Sequence, residues 1–223
     1  TDPDGNVFID YGMALGPFIL GYSDDDVNQA IKDQLEKGTM FTLPSILEAQ
    51  ASKEIIDCVP CAEMVRFGKN GSDVTSAAVK LSRAFTNKDI IIHCGYHGWQ
   101  DWYIGSTSRC LGVPKAVQEL THKFEYNSIE SLEKIFQEQE LACVIMEPMN
   151  IEYPQNNFLE KVKELAHKNN ALLIFDETVT GFRYSLGGAQ ELFGVTPDLA
   201  TFGKGMANGY PLSAVVGSNE VMQ

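Results

Sequence analysis

The sequence predicts an α/β fold in which a mainly parallel central sheet carries helices on both faces. Two patterns lead to it. Short, almost continuously apolar runs such as Leu141–Met146, residues 171–175 and Leu199–Phe202 read as strands buried on both sides. Amphipathic helical segments alternate with them, the arrangement that builds parallel sheets. Composition agrees, since 44% of the 223 residues are hydrophobic, enough for a sizeable core and too many for a disordered chain.

In chain order, residues 2–6 form a turn, and Val-Phe-Ile-Asp-Tyr at 7–11 reads as a strand in a hairpin arm. Residues 12–22 are Gly-rich and apolar, broken at Gly16-Pro17; a core loop and a wall of a binding cleft are both open readings. Ser23 is a good N-cap, and Asp24, Asp25 and Asp26 fill the first turn of a helix, where its dipole favours acids. That position makes the triplet a capping feature rather than a metal site. Val27, Ala30, Ile31 and Leu35 follow at helical spacing and Gly38 ends the helix. A second helix begins near Ser45, with Glu48 as the partner in a capping box and Leu47, Ala51 and Ile55 as its inner stripe.

Strands and helices then alternate. Strand Met64–Gly68 leads into helix 72–86, whose Val74, Ala77, Ala78, Leu81 and Phe85 share a face. Strand Ile90–Cys94 is followed by helix 127–139, with Asn127 and Glu130 at its start, and by strand Leu141–Met146. Helix Phe158–Lys168 turns Phe158, Leu159, Val162, Leu165 and Ala166 inward, and strands 171–175, Leu199–Phe202 and 212–216 complete the series. Residues 1–50 are expected to form an N-terminal segment leading into one large domain, 51–223. Thr1 and Gln223 are expected to be cuts in a longer protein.

The net charge of -13 argues against nucleic acid or an anionic membrane as the main partner, while leaving room for a local phosphate pocket. Five scattered cysteines fit a reducing, cytoplasmic setting. Cys58 and Cys61 have neither a second Cys pair nor a nearby His, so they read as a helix end running into Pro60. No apolar run reaches the roughly 18 residues of a membrane span, and no signal peptide is visible.

In sheets of this kind ligands sit beyond the carboxyl ends of the strands. Lys204 stands there between Gly203 and Gly205, directly after a buried strand. A lysine in that place is costly without a role, and the glycines leave space around its amine. It suits a Schiff-base lysine; a solvated turn lysine is the plainer alternative. Asn70-Gly71-Ser72 opens a helix, a ready anion site or an ordinary cap. It is neither a nucleotide P-loop nor part of a Gly-x-Gly-x-x-Gly string. Tyr96, between Gly95 and His97, can lie flat on a planar ligand or simply pack. His97 by itself reads as structural. Glu147 and Asp176 each follow a buried strand, and a buried carboxylate needs a positive partner or several hydrogen bonds. Glu177 is expected to face away. One ligand fits the set: a phosphate on Ser72, a ring under Tyr96, a pyridine nitrogen at Asp176 and an aldehyde carbon at Lys204. That ligand is pyridoxal phosphate.

The strings Phe67-Gly-Lys-Asn-Gly-Ser-Asp, Gly95-Tyr-His-Gly, Phe175-Asp-Glu-Thr-Val-Thr-Gly-Phe-Arg183 and Phe202-Gly-Lys-Gly occur together, in this order. So do Asp2-Pro-Asp-Gly-Asn, Gly16-Pro17 and Leu186-Gly-Gly-Ala-Gln190. Together they resemble the class III pyridoxal-phosphate-dependent aminotransferases of fold type I over nearly the whole chain, most of all the glutamate-1-semialdehyde 2,1-aminomutases. The resemblance implies the large domain of that fold, with a C-terminal small domain absent from this chain, and a homodimer with the site at the subunit interface. It implies transfer of an amino group to or from a small carbonyl substrate. Lys204 would bind the cofactor and move the substrate proton, and Asp176 would keep the pyridine nitrogen protonated. Asn70, Gly71 and Ser72 would hold the phosphate, Tyr96 would stack on the ring with His97 nearby, and Glu147 would lie close to the cofactor.

Four departures fall in the substrate pocket rather than the cofactor frame. Asn70-Gly71-Ser72 replaces Ser-Gly-Thr, and Ala14-Leu15 replaces Ser-Trp. The gating segment, 105–114, is short, and so is the segment after Glu147-Pro148, where Asn150 is the candidate partner for the ring hydroxyl. They point to an aminotransferase acting on another carbonyl compound, such as a sugar or a secondary metabolite. An aminomutase is the alternative within enzymes, and a non-catalytic scaffold of the same fold is the alternative outside them.

Overall fold

A computed structural model describes all of residues 1–223. Helices α1 (Asp25–Leu35) and α2 (Ile46–Cys58) come first, then β1 (Met64–Gly68), α3 (Gly71–Thr86) and β2 (Ile90–Cys94). Two one-turn helices, α4 (Asp101–Ile104) and α5 (Lys115–Gln118), precede the short β3 (Thr121–Lys123). After these come α6 (Ile129–Glu138), β4 (Leu141–Met146), α7 (Phe158–Lys168), β5 (Leu172–Asp176), α8 (Ala189–Phe193), β6 (Leu199–Phe202), β7 (Ser213–Gly217) and α9 (Asn219–Met222).

The seven strands form one sheet in the order β1-β7-β6-β5-β4-β2-β3. Strand β7 runs antiparallel to both of its neighbours, β1 and β6, and every other pairing is parallel. Six strands therefore point the same way, and the residues that follow them collect along one edge. The register keeps those ends level: Cys94 lies opposite Met146, Met146 opposite Phe175, and Asp176 opposite Thr201.

The strands are apolar throughout because both faces are covered. Ile91, Ile145 and Ile174 pack with Val74, Ala78 and Val79 of α3 on one face. Ile92, Val144 and Leu173, each a neighbour in sequence of one of those residues, pack with Phe158, Leu159 and Val162 of α7 on the other. This is the period-two alternation of a strand with two dry sides. Each such side chain contributes about 1.5–3 kcal/mol by leaving water. A third cluster seats Ile55 and Val59 against Ala200, Phe202, Ala214 and Val216.

Several local expectations are corrected. Residues 7–11 form no strand; they have no pairing partner within the chain, and Val7, Phe8, Ile9 and Tyr11 are exposed. The cap of α1 is Asp24 rather than Ser23, with its carboxylate accepting the Val27 N–H at 2.9 Å. Ser45 precedes α2 but makes no side-chain cap, and of its expected stripe only Ile55 is buried. Helix α6 starts later than expected, capped by Ser128, because Asn127 is used elsewhere: its amide donates to the Tyr153 carbonyl and accepts from Gln155 N–H. Strand β3 was not anticipated; three residues are too few to show a period. Cys58 does end α2, as expected, and all five cysteines are free thiols. No helix is long and apolar enough to cross a membrane.

Candidate active site

Residues following five strands line one cleft of about 260 Å³. Asn70, Gly71 and Ser72 come from the β1–α3 turn, and Tyr96 and His97 from the loop after β2. Glu147 follows β4, Asp176 ends β5, and Lys204 stands two residues beyond β6. All eight residues singled out in the sequence thus meet in one place.

Asn70 is the N-cap of α3, its side-chain oxygen accepting the Asp73 N–H at 3.1 Å. Gly71 and Ser72 then begin the helix, where backbone N–H groups lack intrahelical partners and favour an anion. A side chain at Gly71 would press on Thr178, and one at Gly98 would collide with the Ser72 hydroxyl. The Gly98 position also has a φ of +104°, which favours glycine there. The Trp99 N–H approaches Ser72 Oγ at 3.4 Å, so two loops close around this helix end.

Asp176 is buried and takes four hydrogen bonds. Its Oδ1 accepts from Thr178 N–H at 3.1 Å, Thr178 Oγ1–H at 2.6 Å and Thr201 Oγ1–H at 3.0 Å. Its Oδ2 accepts from His97 Nδ1–H at 2.8 Å. Burial opposes the charge, but the His97 bond and the Thr178 donors outweigh it and hold the carboxyl below its ordinary value. His97 is held at both ring nitrogens. Its other ring nitrogen donates to the Cys94 carbonyl at 3.1 Å, and Tyr103 meets the ring edge-on, so it braces Asp176 from behind. Thr178 and Thr201 were not singled out in the sequence. The signal was available for Thr178, two residues past an aspartate at a strand end, the spacing of an Asx turn.

Glu147 behaves differently. Burial pushes its carboxyl upward, and the Tyr96 N–H at 3.0 Å and the Asn150 amide at 2.7 Å only partly offset this. Gly95, at φ +107°, lets the loop lie on this carboxylate; a Cβ there would stand 2.4 Å from Oε2. Asn150, a candidate partner for a ring hydroxyl, instead holds Glu147. Tyr96 is exposed on one side and rests edge-on against Tyr103, leaving a free aromatic face at the mouth of the cleft. Glu177 does face away: its carboxylate accepts the Ala189 and Gln190 N–H groups at 2.8 and 2.9 Å and starts α8.

Lys204 takes part in none of the chain's ion pairs and holds a φ of +43°, rare for a residue with a side chain. Strain of this kind persists where the surroundings over-determine it, and it clusters at functional sites. The arrangement offers an amine, a fixed carboxylate, an anion-binding helix end and an aromatic face around one small cavity.

Comparison with known proteins agrees with this geometry. The family model described as Aminotransferase class-III matches residues 1–223. A 3-aminobutyryl-CoA aminotransferase of Cloacimonas acidaminovorans is 42% identical over 100% of this chain and 55% of its own length. A glutamate-1-semialdehyde 2,1-aminomutase of Methanococcus maripaludis is 39% identical, over 100% of this chain and 56% of its own. The chain thus spans about half the length of the curated relatives it matches. Among solved structures, an omega-transaminase from Sphaerobacter thermophilus superposes with a TM-score of 0.87 at 30% identity, covering 95% of this chain and 53% of that one. A transaminase with bound pyridoxal phosphate gives a TM-score of 0.92 at 27% identity, over 100% of this chain and 56% of its own. By fold, by the contents of its cleft and by sequence over its whole length, this chain belongs to the class III aminotransferase family.

Proposed function

We propose that this chain is the cofactor-binding core of a pyridoxal-phosphate-dependent aminotransferase acting on a small amine or carbonyl substrate, with Lys204 and Asp176 as its catalytic residues. The observation that carries the reading is the pairing of a buried, four-fold hydrogen-bonded Asp176 with Lys204 in one cleft. Pyridoxal phosphate fits these residues: an anion-binding helix end, a carboxylate held below its ordinary value and an amine line the same cavity.

When bound, this cofactor supplies an electron sink for charge developing at the substrate α-carbon. The residues of the chain do the rest. Gly71 and Ser72 bind the phosphate with the start of α3, beside Asn70. Tyr96 orients the ring. Asp176 holds a proton on the ring nitrogen, and His97 keeps Asp176 in place. Lys204 is the amine of the cleft: it would hold the cofactor through Nζ, and as a free amine it would be the base that takes and returns the proton at the substrate α-carbon. Glu147 lines the same cleft and would lie close to the cofactor, with its carboxyl raised by burial and held by Tyr96 N–H and Asn150.

An aminomutase is the second reading, favoured by relatives of that name at 39–42% identity. Requirement for an external amino donor separates the two. The exposed apolar side chains of residues 7–47 support a homodimer with the site near the interface, the free thiols support a cytoplasmic setting, and the charge of -13 supports neither nucleic acid nor membrane as a partner.

The test is borohydride reduction of the full-length protein in the presence of pyridoxal phosphate, followed by peptide mapping. A pyridoxyl group on the Lys204 peptide is expected, with both adduct and turnover lost in Lys204→Ala while the circular dichroism spectrum is retained. A folded protein that acquires no adduct at Lys204 would move the reading to a non-catalytic scaffold.

A further inference from the structure

The N-terminal segment touches the lysine-bearing turn through a small set of contacts. Asn208 is buried four residues after Lys204, and both atoms of its amide are spent on the segment's backbone. Leu20 N–H donates to Asn208 Oδ1 at 3.0 Å, and Asn208 Nδ2–H donates to the Gly21 carbonyl at 3.0 Å. The partners are 188 and 187 residues apart in sequence, so these bonds form only once the sheet has brought the two regions together. Asn208 itself has a φ of +47°, a conformation that Asn tolerates better than most residues.

The packing around this bond pair is equally local. Phe18 lies over Gly209 and Ile19 over Gly205; a Cβ would come within 2.4 Å and 2.3 Å of them. The Arg183 guanidinium donates to the Gly16 carbonyl and, through Nε–H, to the Val179 carbonyl at 2.8 Å. Tyr210 OH donates to Asn28 Oδ1 at 2.8 Å. Residues 16–21 therefore form a strap across the turn 203–209, seated on two of its glycines. Between those glycines and Gly203, Lys204 keeps its left-handed backbone.

We propose that Asn208 is a positioning residue for Lys204: its two hydrogen bonds seat the strap 16–21 on the turn, and the seated strap holds the lysine backbone in its left-handed conformation. The inference rests on the reading of Lys204 as the reactive amine but concerns the turn alone, so it can be tested apart from cofactor and turnover. The left-handed backbone that Asn208 holds is one that glycine also adopts, so Asn208→Gly removes the bonds without adding backbone strain. Asn208→Asp keeps the acceptor for Leu20 N–H and sets a carboxylate oxygen against the Gly21 carbonyl.

Two readouts are taken on the full-length protein stripped of cofactor. The first is hydrogen exchange of the Leu20 amide. The second is the labelling rate of Lys204 by trinitrobenzenesulfonate, followed by peptide mapping with Lys168 as the internal reference. In Asn208→Gly, loss of two hydrogen bonds predicts Leu20 exchange about ten-fold faster and a Lys204 labelling rate changed about five-fold or more, with Lys168 unchanged. Asn208→Asp falls between this and the parent, and carries the test alone if the glycine variant does not fold. A Lys204 rate within about two-fold of the parent, in a variant whose Leu20 exchange has risen, overturns the proposal, because the bonds would then be merely structural. Unchanged Leu20 exchange also overturns it. The borohydride experiment fails or succeeds independently: it reports on the cofactor, and this one on the strap.

Discussion

The carboxyl edge of the sheet and the first 50 residues are built on opposite terms. At the edge, polar side chains such as Ser72, His97, Glu147, Asp176 and Thr201 are buried and partnered; of all buried side-chain polar atoms only His93 Nδ1 and Ser213 Oγ lack a hydrogen bond. In the first 50 residues the apolar side chains are uncovered. Phe8 is 68% exposed, Met40 86% and Tyr11 90%, and α1 buries no residue, whereas α3 buries six. Apolar character thus gives burial only where the chain itself supplies a second surface. The N-terminal segment is apolar beyond what this chain can cover, and it meets the rest through the strap, at Asn208 and Arg183, and through the bond from Tyr210 to Asn28 of α1. Scattered exposed apolar residues need no explanation, but a continuous apolar segment reads as an interaction surface.

The sharpest way to break this contrast is to unbalance the dense side. In Asp176→Asn one oxygen becomes an NH₂ group, which either confronts the His97 donor or displaces the three donors on Oδ1. The amide also cannot hold a positive ring nitrogen. Turnover of the full-length protein is expected to fall about 10²–10³-fold, the scale seen when one fixed electrostatic partner of a reacting group is removed. The melting temperature should fall as well, since bonds to a charged group contribute about 1.5–3 kcal/mol. Steady-state rates and thermal melts check both; full turnover would mean that another group protonates the ring.

His93 gives the second test. It is buried in β2, and its Nε2–H donates to Ser106 Oγ at 2.8 Å because the Ser106 proton is committed to the Tyr103 carbonyl at 2.7 Å. Nδ1 is left as a buried lone pair. Burial, helped by the neighbouring His97, lowers the pKa to about 3. In the unfolded chain the same group titrates near 6.5, so between these values the unfolded state binds the extra proton. The stabilising contribution is therefore complete above about pH 6.5 and is lost as pH falls toward 3, by up to about 5 kcal/mol. Denaturant titrations of His93→Gln across pH 7 to 4 should show a flatter acid limb than the parent. An unchanged slope would place acid sensitivity elsewhere and show this part of the edge to be open to water.

The same contrast decides what could be read from sequence. The strands of the sheet were legible because dry strands need long apolar runs, and the site because chemistry-bearing residues come soon after those runs: Asp176 next to Phe175, Lys204 just past Phe202, Ser72 in the turn after β1. What failed was information that lies between segments. The reversed direction of β7 depends on how the chain returns from the Lys204 turn. The roles of Thr178 and Thr201 depend on β5 and β6 being neighbours, and His97 could be seen to brace Asp176 only once β2 and β5 were placed with β4 alone between them. The expected strand at 7–11 has strand-prone apolar residues but no partner strand, and a lone strand has nothing to satisfy its backbone. Ser23, Glu48 and Asn127 were misread for a smaller reason. Each has the chemistry of a cap, but in two cases a neighbouring residue took the role and in the third no side-chain cap formed.

Helix caps offer the smallest effect and the cleanest comparison of the two regions. Asp24 caps α1 and Asn70 caps α3 through the same bond, a side-chain oxygen accepting an N–H three residues on, at 2.9 and 3.1 Å. Removing such a cap costs about 1 kcal/mol of local helix stability. In Asn70→Ala that loss should appear in global unfolding, because α3 packs into the core with β4, β6 and β7. In Asp24→Ala the global change should stay under about 0.5 kcal/mol, since α1 buries nothing and can fray without opening the sheet. The loss would appear instead as faster amide exchange confined to α1. Equal global losses in the two variants would mean that α1 unfolds together with the core, and that the N-terminal segment is joined to the sheet by more than its strap.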